Sequence, residues 1–437
     1  MAEKKTREPM QRRIAYAQLA VNHPILKEDR LTQRQYYSAL NLNCKRLLRI
    51  SKYGKAVLNY YKSFFHIERQ SNCKKQLTTK LRVALLFDIL HISGYNRSAI
   101  TPAFIRSLRL DRSLCLILES LFMDLRASNP LWDELFANRY VQSEAEWIDV
   151  IRRNIAFSRK KPYKIMVTAT MSAGKSTFIN ALVGKKIAST KNLACTGRLH
   201  YIYSKPSDDS LIGLWDRQVI LDAQNNILNE SEELQERISY ESVYYKGKLN
   251  GKHCMILDTP GVNSAEYQKH GECTSTAIKD GAYDALVFLI NYEHIGTDDE
   301  IAHLSFIKQN VDNSIPLVFC INKVDSKKRD DLTLEEKMQD IKSYLQQQGF
   351  PDATIFLVSS RAAFLYRMRD KLNNEDDIED LELLTKKIKR STNLVTLYSS
   401  IKPSYVESSV DCFEYQCGIG YIEDYLIKLM LKKERND

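Results

Sequence analysis

Residues 164–184 read KIMVTATMSAGKSTFINALVG. The first six residues are mostly apolar or β-branched, as in a buried strand, and the residues from Lys175 onward have the pattern of a helix. A loop of small residues ending in Gly174-Lys175-Ser176 joins the two. A strand, a Gly-Lys-Ser loop and a helix in this order are typical of a P-loop, in which main-chain N–H groups and the helix N-terminus surround phosphate oxygens.

The P-loop pattern predicts which residues hold phosphate. Lys175 is expected to reach the β- and γ-phosphates, and Ser176 to supply a hydroxyl ligand to Mg²⁺. Ala169 stands where the motif normally has its first glycine. The full predicted phosphate-binding set is Ala169, Thr170, Met171, Ala173, Gly174, Lys175, Ser176 and Thr177.

A D-x-x-G motif follows at the end of another apolar strand, in Leu257-Asp-Thr-Pro-Gly261. It predicts that Asp258 belongs to the magnesium shell and that the amide of Gly261 lies near the γ-phosphate. Lys175 and Asp258 are 83 positions apart (258 − 175). Within this long span, Thr196 of the segment ACTGR is the candidate switch residue that closes on magnesium and the γ-phosphate. The predicted metal ligands are thus Ser176, Thr196 and Asp258.

Two further motifs predict the identity of the base. Residues 322–325 read NKVD after an apolar strand. The carboxylate of Asp325 can accept hydrogen bonds from N1–H and the 2-amino group of guanine, and adenine offers neither donor there. Asn322 and Lys323 complete this motif, and Ser359 and Ser360 end the next strand. Because α/β sheets bind ligands at the carboxyl ends of their strands, the four motifs together predict GTP or GDP binding.

The pattern of elements predicts an α/β domain with a mostly parallel sheet flanked by helices, preceded by an all-α domain. Six strands are expected, in KIMVTA, LHYIYSK, HCMILDT, ALVFLIN, PLVFCIN and TIFLVSS. The predicted domains are a basic all-helical domain over 1–160 and an α/β domain that begins at 161. A polar insertion over 373–416 is expected before the last helix.

Charge is divided unevenly along the chain. The net charge is +10, but residues 1–160 contain 29 Lys and Arg against 14 Asp and Glu, and residues 161–437 contain 35 against 40. Five tyrosines lie among the N-terminal basic residues: Tyr36, Tyr37, Tyr53, Tyr60 and Tyr61. One interpretation is that this domain docks on an anionic membrane or nucleic acid. The other is that the tyrosines are interior helix residues and the lysines form a solvated face.

Composition excludes several protein classes. Glycine and proline total 25 of 437 residues, roughly 6%, which argues against a turn-rich all-β protein. No apolar run reaches the roughly 18 residues of a membrane span. Nine cysteines occur without a C-x-x-C pair, which favours reduced thiols over a disulfide scaffold or zinc ribbon. We therefore expect a cytoplasmic protein without a transmembrane segment.

The motifs resemble those of the dynamin superfamily, particularly its bacterial members, over roughly the last 275 residues. The resemblance implies a Mg²⁺-dependent GTPase that forms a homodimer through its GTPase domain. It implies that Ser172 helps to hold a catalytic monovalent cation (K⁺) and that Lys175 and Thr196 act with it in catalysis. It also implies that Cys417-Gly418-Ile419 opens the final helix, so that the GTPase domain extends over 161–433.

The chain departs from the dynamin pattern at the residues that position water. Met171 stands where the family has a glutamine, and Val262 follows D-T-P-G, so a Ras-type glutamine is also missing. Arg198 is a candidate charge-stabilising group, although a solvated surface position is the interpretation that its sequence context favours. These departures favour slow hydrolysis.

Three functions remain open at this point. The first is a nucleotide-dependent dimerising switch or weak remodelling factor, cytoplasmic or peripheral on a membrane. The second is a GTP-gated binding module for an anionic membrane or nucleic acid, with little hydrolysis. The third is an Era-like ribosome-associated GTPase, against which stand the long switch region and Ser172, where that class usually has asparagine.

Overall fold

The computed structural model describes residues 10–68, 76–170, 172–187, 199–216, 218–223, 240–260, 268–401 and 413–436. Contacts divide the chain into two compact units. The N-terminal unit comprises Met1–Lys161, Lys205–Gln224 and Tyr240–Tyr244, and the sheet unit comprises Pro162–Ser204, Asn225–Ser239 and Tyr245–Asp437.

The described residues before position 160 are helical, as the sequence predicts. The α-helices are α1 Arg30–Leu47, α2 Lys52–Phe64, α3 Thr79–Ile92, α4 Pro102–Ser107, α5 Arg112–Met123, α6 Leu131–Ala137 and α7 Ala145–Arg159. Side chains cap several of them: Asp29 accepts a hydrogen bond from the amide of Thr32 over 2.7 Å, and Thr101 caps α4. From Val83 to Ile92 every residue of α3 is buried, so this helix forms the centre of the bundle.

Most of the N-terminal tyrosines are interior. Four of the five are buried: Tyr36, Tyr37, Tyr53 and Tyr61. The hydroxyls of Tyr36 and Tyr61 donate to the fully buried carboxylate of Asp88 over 2.5 and 2.9 Å. These rings are therefore not available to stack on bases or to insert into a lipid surface, which supports the interpretation that they are core residues.

Nine strands are present among the described residues. They are β1 Tyr163–Ala169, β2 His200–Ser204, β3 Gly213–Asp216, β4 Gln218–Ile220, β5 Tyr240–Val243, β6 Cys254–Asp258, β7 Ala285–Asn291, β8 Leu317–Asn322 and β9 Thr354–Val358. The six strands predicted from the sequence are β1, β2, β6, β7, β8 and β9, and all six are confirmed.

Strands β3 to β5 form an antiparallel ribbon in the N-terminal unit, and the sequence did not predict them. The hydroxyl of Ser242 on β5 donates to the carbonyl of Ile14 over 2.6 Å. A Cβ on Gly213 would lie 2.8 Å from that same carbonyl, so the ribbon packs closely on the 3-10 helix Met10–Ala15. The compact N-terminal unit therefore includes residues beyond the predicted limit at 160.

The sheet unit has the strand order β2-β6-β1-β7-β8-β9. Pairing is parallel throughout except between β2 and β6, which confirms the mostly parallel sheet. Every residue of β7 is buried, as expected for a central parallel strand covered on both faces. The carboxyl ends of β1, β6, β8 and β9 consequently meet at one edge of the sheet.

Helices follow the strands of this unit. They are α8 Lys175–Val183, α9 Gln268–Asp280, α10 Asp298–Asn310, α11 Leu334–Gln347, α12 Ser360–Met368, α13 Glu375–Ser391, α14 Leu394–Ile401, α15 Phe413–Gln416 and α16 Ile419–Asn436. The predicted polar insertion over 373–416 therefore contains α13, α14 and α15. The last helix, α16, begins at Ile419, as the resemblance implied.

Candidate functional site

The P-loop connects the end of β1 at Ala169 to the start of α8 at Lys175. Gly174 adopts φ +86° and ψ 30°, in the left-handed region that favours glycine. A Cβ at this position would also lie 2.5 Å from Nδ2 of Asn322. Glycine is thus required here for both its conformation and its size, and it directs the first N–H groups of α8 toward the carboxyl edge of the sheet.

Lys175 and Asp258 face each other across this edge. The ammonium of Lys175 contacts the carboxylate of Asp258 at the end of β6, and both side chains are largely buried, with 15% and 14% exposed. The lysine predicted to bind phosphate and the carboxylate predicted to belong to the magnesium shell are therefore in direct contact. A phosphate group entering the P-loop would compete with Asp258 for the ammonium.

Asn322 connects the P-loop to the loop after β9. Its Nδ2 donates to the carbonyl of Ala173 over 2.8 Å, and its Oδ1 accepts from the amide of Ser360 over 3.1 Å. The side chain is almost completely buried, with 2% exposed. Asn322 thus uses its amide to hold two loops together, a role that the motif assignment did not specify.

Lys323 and Asp325 continue the motif on the next turn. Lys323 has φ +67° and caps the 3-10 helix Val324–Ser326, and its Cε lies 3.9 Å from the position that a Cβ on Gly174 would occupy. Oδ1 of Asp325 is buried and has no hydrogen-bond partner within the described residues. A buried carboxylate oxygen without a donor is costly, and guanine would supply the missing donor.

Ser359 and Ser360 are buried where β9 passes into α12. The amide of Ser359 donates to the carbonyl of Cys417 over 2.9 Å, so the segment before α16 supports this loop. The hydroxyl of Ser360 is buried without a hydrogen-bond partner in the described part of the chain. Among the described residues, Oδ1 of Asp325 and the hydroxyl of Ser360 are thus both buried polar groups of these motifs without a partner.

The strand that leads into the P-loop is held by buried polar contacts. The hydroxyl of Thr168 lies 3.0 Å from Nε2 of His303 on α10. Burial lowers the pKa of His303 to about 4, so its imidazole is neutral near pH 7. The hydroxyl of Thr259 donates to the carbonyl of Val167 over 3.0 Å and fixes the chain just after Asp258.

Several predicted site residues fall outside the described residues. They are Met171, Thr196, Arg198, Gly261 and Val262. The remaining motif residues, from Ala169 to Ser360, are brought to the carboxyl edge of one sheet. Their individual roles stay predictions.

One cluster behind the site was missed by sequence analysis. The guanidinium of Arg367, on α12, forms a bidentate pair with Glu423 on α16, over 2.9 and 2.7 Å. Burial alone would lower the pKa of Arg367, but the carboxylates of Glu423 and Glu414 raise it, so the charge persists. No local signal marks these residues, because the partners are 56 and 47 positions apart along the chain.

Comparison with known proteins identifies the domain. Residues 165–325 match the model of the dynamin family. These residues form a dynamin-family GTPase domain. The match contains the P-loop, the D-x-x-G motif and N-K-x-D, and it confirms the resemblance drawn from those motifs. GTP binding follows from the family together with the loop geometry.

Individual similarities are more distant. A protein of Caldicellulosiruptor sp. (strain Rt8B.4), described as an uncharacterized protein in the xynA 3′ region, is 25% identical over 294 residues, covering 63% of this chain and 67% of its own length. A chain of an oligomerised bacterial dynamin pair, described as providing a mechanism for the long-range sensing and tethering of membranes, is 14% identical with a TM-score of 0.36. That match covers 99% of this chain, which spans 63% of the bacterial dynamin chain, less than two thirds.

A plant protein is also similar in structure. Toc33 from Arabidopsis thaliana, in complex with Mg²⁺ and GMPPNP, is 12% identical with a TM-score of 0.30, over 45% of this chain and 70% of its own.

Among the described residues, no helix combines the length and the apolar character needed to span a membrane.

Proposed function

We propose that this protein binds GTP with Mg²⁺ and hydrolyses it to GDP and phosphate, and that the bound nucleotide controls dimerisation through the GTPase domain. The observation that carries the choice of guanine is Oδ1 of Asp325, which is buried and has no hydrogen-bond partner among the described residues. N1–H and the 2-amino group of guanine both donate toward such a carboxylate, so binding would satisfy an acceptor that the described part of the fold leaves unpaired.

The phosphate end of the site supports transfer of the γ-phosphoryl group to water. In this reaction the water oxygen forms a bond to the γ-phosphorus, the bond from that phosphorus to the β–γ bridging oxygen breaks, and GDP leaves with the electron pair. The protons of the water leave with the inorganic phosphate or pass to solvent. Lys175 and the first N–H groups of α8 would stabilise the negative charge that develops on the β- and γ-oxygens. Because Gly174 has no side chain, a phosphate can come close to these N–H groups.

The residues present fit a magnesium ion. Ser176 and Asp258 supply oxygen donors next to the phosphate position, and Mg²⁺ is usually bound by one or two protein oxygens together with phosphate and water. The described residues contain no group of three or more His, Cys, Asp or Glu side chains suited to a metal, so the phosphates would complete the shell. When bound, the ion would neutralise charge on the β- and γ-oxygens. Thr196 is proposed as the switch ligand.

Hydrolysis by the isolated protein is expected to be slow. Met171 has a thioether where a water-positioning amide would serve, so the attacking water lacks that partner. Ser172, which adopts φ +61° in the P-loop, is proposed to help to hold K⁺ beside the phosphates. In a dimer, the second GTPase domain would help to position the attacking water.

The test measures binding and turnover of the full chain. Equilibrium titration should show binding of GTP and GDP but not ATP, and Lys175→Ala should abolish it. Turnover per molecule should rise with protein concentration and be faster in K⁺ than in an inert cation. Binding without turnover at any concentration would reject the hydrolase, and equal affinity for ATP would reject the assignment of Asp325.

A further inference from the structure

Arg367 lies at the far end of two helices that both begin at the nucleotide site. Helix α8 starts at the P-loop with Lys175, and α12 starts with Ser360. The two helices pack against each other. Nη1 of Arg367, near the end of α12, donates to the carbonyls of Ala181 and Leu182, near the end of α8, over 2.7 and 3.3 Å. One side chain therefore ties together the distal ends of the phosphate-binding and base-binding helices.

The same guanidinium is held by the C-terminal part of the chain. Besides its bidentate pair with Glu423 on α16, its Nε donates to Glu414 on α15 over 2.9 Å. Both Arg367 and Glu423 are buried, with side-chain exposures of 2% and 0%. A buried pair with this geometry is rigid, because any separation leaves a charge uncompensated in a low-dielectric interior.

The neighbouring loop reinforces this junction. Nζ of Lys246 donates to the carbonyl of Arg367 over 3.0 Å, and the amide of Lys246 donates to Val183 at the end of α8 over 2.9 Å. Gly247, with φ +82°, passes so close to the guanidinium that a side chain would not fit. The ends of α8 and α12 can thus shift relative to one another only if this cluster changes.

We propose that Arg367 is a positioning residue that sets the spacing between the phosphate-binding and base-binding halves of the nucleotide site, and that α16 acts on this spacing through Glu423. The inference rests on the GTP-binding function proposed above. A ligand that spans both halves requires the spacing, whereas a ligand that occupies one half does not. The prediction therefore concerns the ratio of two affinities.

The experiment compares four ligands on the full chain and its variants. GTP and GDP span the site, guanosine occupies only the base half, and pyrophosphate occupies only the phosphate half. In Arg367→Met and in Glu423→Gln, the dissociation constants of GTP and GDP should rise about tenfold, equivalent to about 1.4 kcal/mol. Those of guanosine and pyrophosphate should change less than about twofold, because each half-site remains intact.

Two controls separate positioning from loss of stability. Leu345→Ala removes a buried apolar side chain from α11, so it should lower the melting temperature without changing the ratio of GTP to guanosine affinity. If Arg367→Met does not fold, Glu423→Gln decides, since glutamine keeps the size of the side chain while it removes the charge and one of the two acceptor oxygens. The double variant should bind GTP no more weakly than the worse of the two single variants, because both substitutions remove the same ion pair between Arg367 and Glu423.

The outcomes are distinct. Unchanged GTP affinity in folded variants, or a parallel loss for all four ligands, would overturn the role of Arg367. A wild-type protein that does not bind GTP would instead reject the proposed function itself.

Discussion

The side-chain amide of Asn322 donates to the carbonyl of Ala173 over 2.8 Å, which ties the guanine-recognition motif to the P-loop. The two residues are 149 positions apart in the chain. Because the same side chain also accepts from the amide of Ser360, one amide group aligns three loops that would each contact a different part of the nucleotide.

Asn322→Asp separates the two contacts of this side chain. A carboxylate still accepts from the amide of Ser360 but cannot donate to Ala173, and its charge faces a carbonyl oxygen. We expect GTP affinity to fall by about 1–3 kcal/mol, the cost of an unpaired buried polar group, and Asn322→Ala to lose at least as much. Titration with GTP measures the effect, and unchanged affinity in Asn322→Asp would show that the contact with Ala173 has no role in binding.

Gly174→Ala should abolish nucleotide binding. The residue has φ +86°, and the new Cβ would lie 2.5 Å from Nδ2 of Asn322. The backbone conformation alone costs an L-residue about 1–2 kcal/mol, and the clash displaces Asn322 as well.

The matched control for this substitution is Gly281→Ala. Gly281 also has a positive φ, +59°, but the nearest atom to a new Cβ is 4.0 Å away. It lies just before β7 begins, at the opposite edge of the sheet from the P-loop. Gly281→Ala should lower stability by a similar amount, because alanine is also strained at this positive φ, and it should leave GTP affinity unchanged. Loss of binding in both variants would point to a general effect of instability.

Asp325→Asn should change the base that the site accepts. An asparagine cannot accept from both guanine donors, and its NH₂ group faces the 2-amino group. Loss of one hydrogen bond, together with loss of the charge that strengthens the other, is expected to weaken GTP binding by about 3 kcal/mol, roughly 150-fold. Xanthosine triphosphate, which has an oxygen at that carbon, should gain affinity. Competition titrations with both nucleotides test this, and a parallel loss for both would contradict direct base contact.

Stability of the sheet unit should fall in mild acid because of His303. Above pH about 6.5 its imidazole is neutral in the folded and the unfolded chain. Between pH 6.5 and about 4 the unfolded chain takes up a proton that the folded chain excludes, because burial lowers the folded pKa. The free energy of unfolding should therefore decrease by up to about 1.4 kcal/mol per pH unit as the pH falls through this window.

Urea unfolding at pH 7, 6 and 5 measures this dependence in the wild type and in His303→Gln. The free energy of unfolding of the variant should depend less steeply on pH than that of the wild type, whatever its absolute stability. Some slope should remain from His91 in the N-terminal unit, where burial lowers the pKa to about 3. Identical slopes would mean that His303 is not held neutral in the fold.

The central part of the fold was predictable because its signals are local. Each of the six predicted strands is an apolar run, and each motif directly follows one of them, so Lys175, Asp258 and Asp325 had to meet at the carboxyl edge of a parallel sheet. The ribbon β3 to β5 was missed because its strands have only three or four residues, too few for a periodic pattern. The tyrosines illustrate a second limit: their spacing was compatible with a surface or an interior face until the contacts of Asp88 were known.

By itself, the sequence determined the fold class and the positions of the nucleotide-binding motifs, and it predicted guanine as the base, since all three depend on residues that are neighbours in the chain. Only the tertiary structure showed which distant side chains connect these loops and the helices that begin at them. Asn322 reaches Ala173, and Arg367 joins Leu182 to Glu423, across separations of 149, 185 and 56 residues. Such contacts leave no local pattern, because they arise only when packing of the apolar strands and helices brings distant polar groups into a dry interior where each must find a partner.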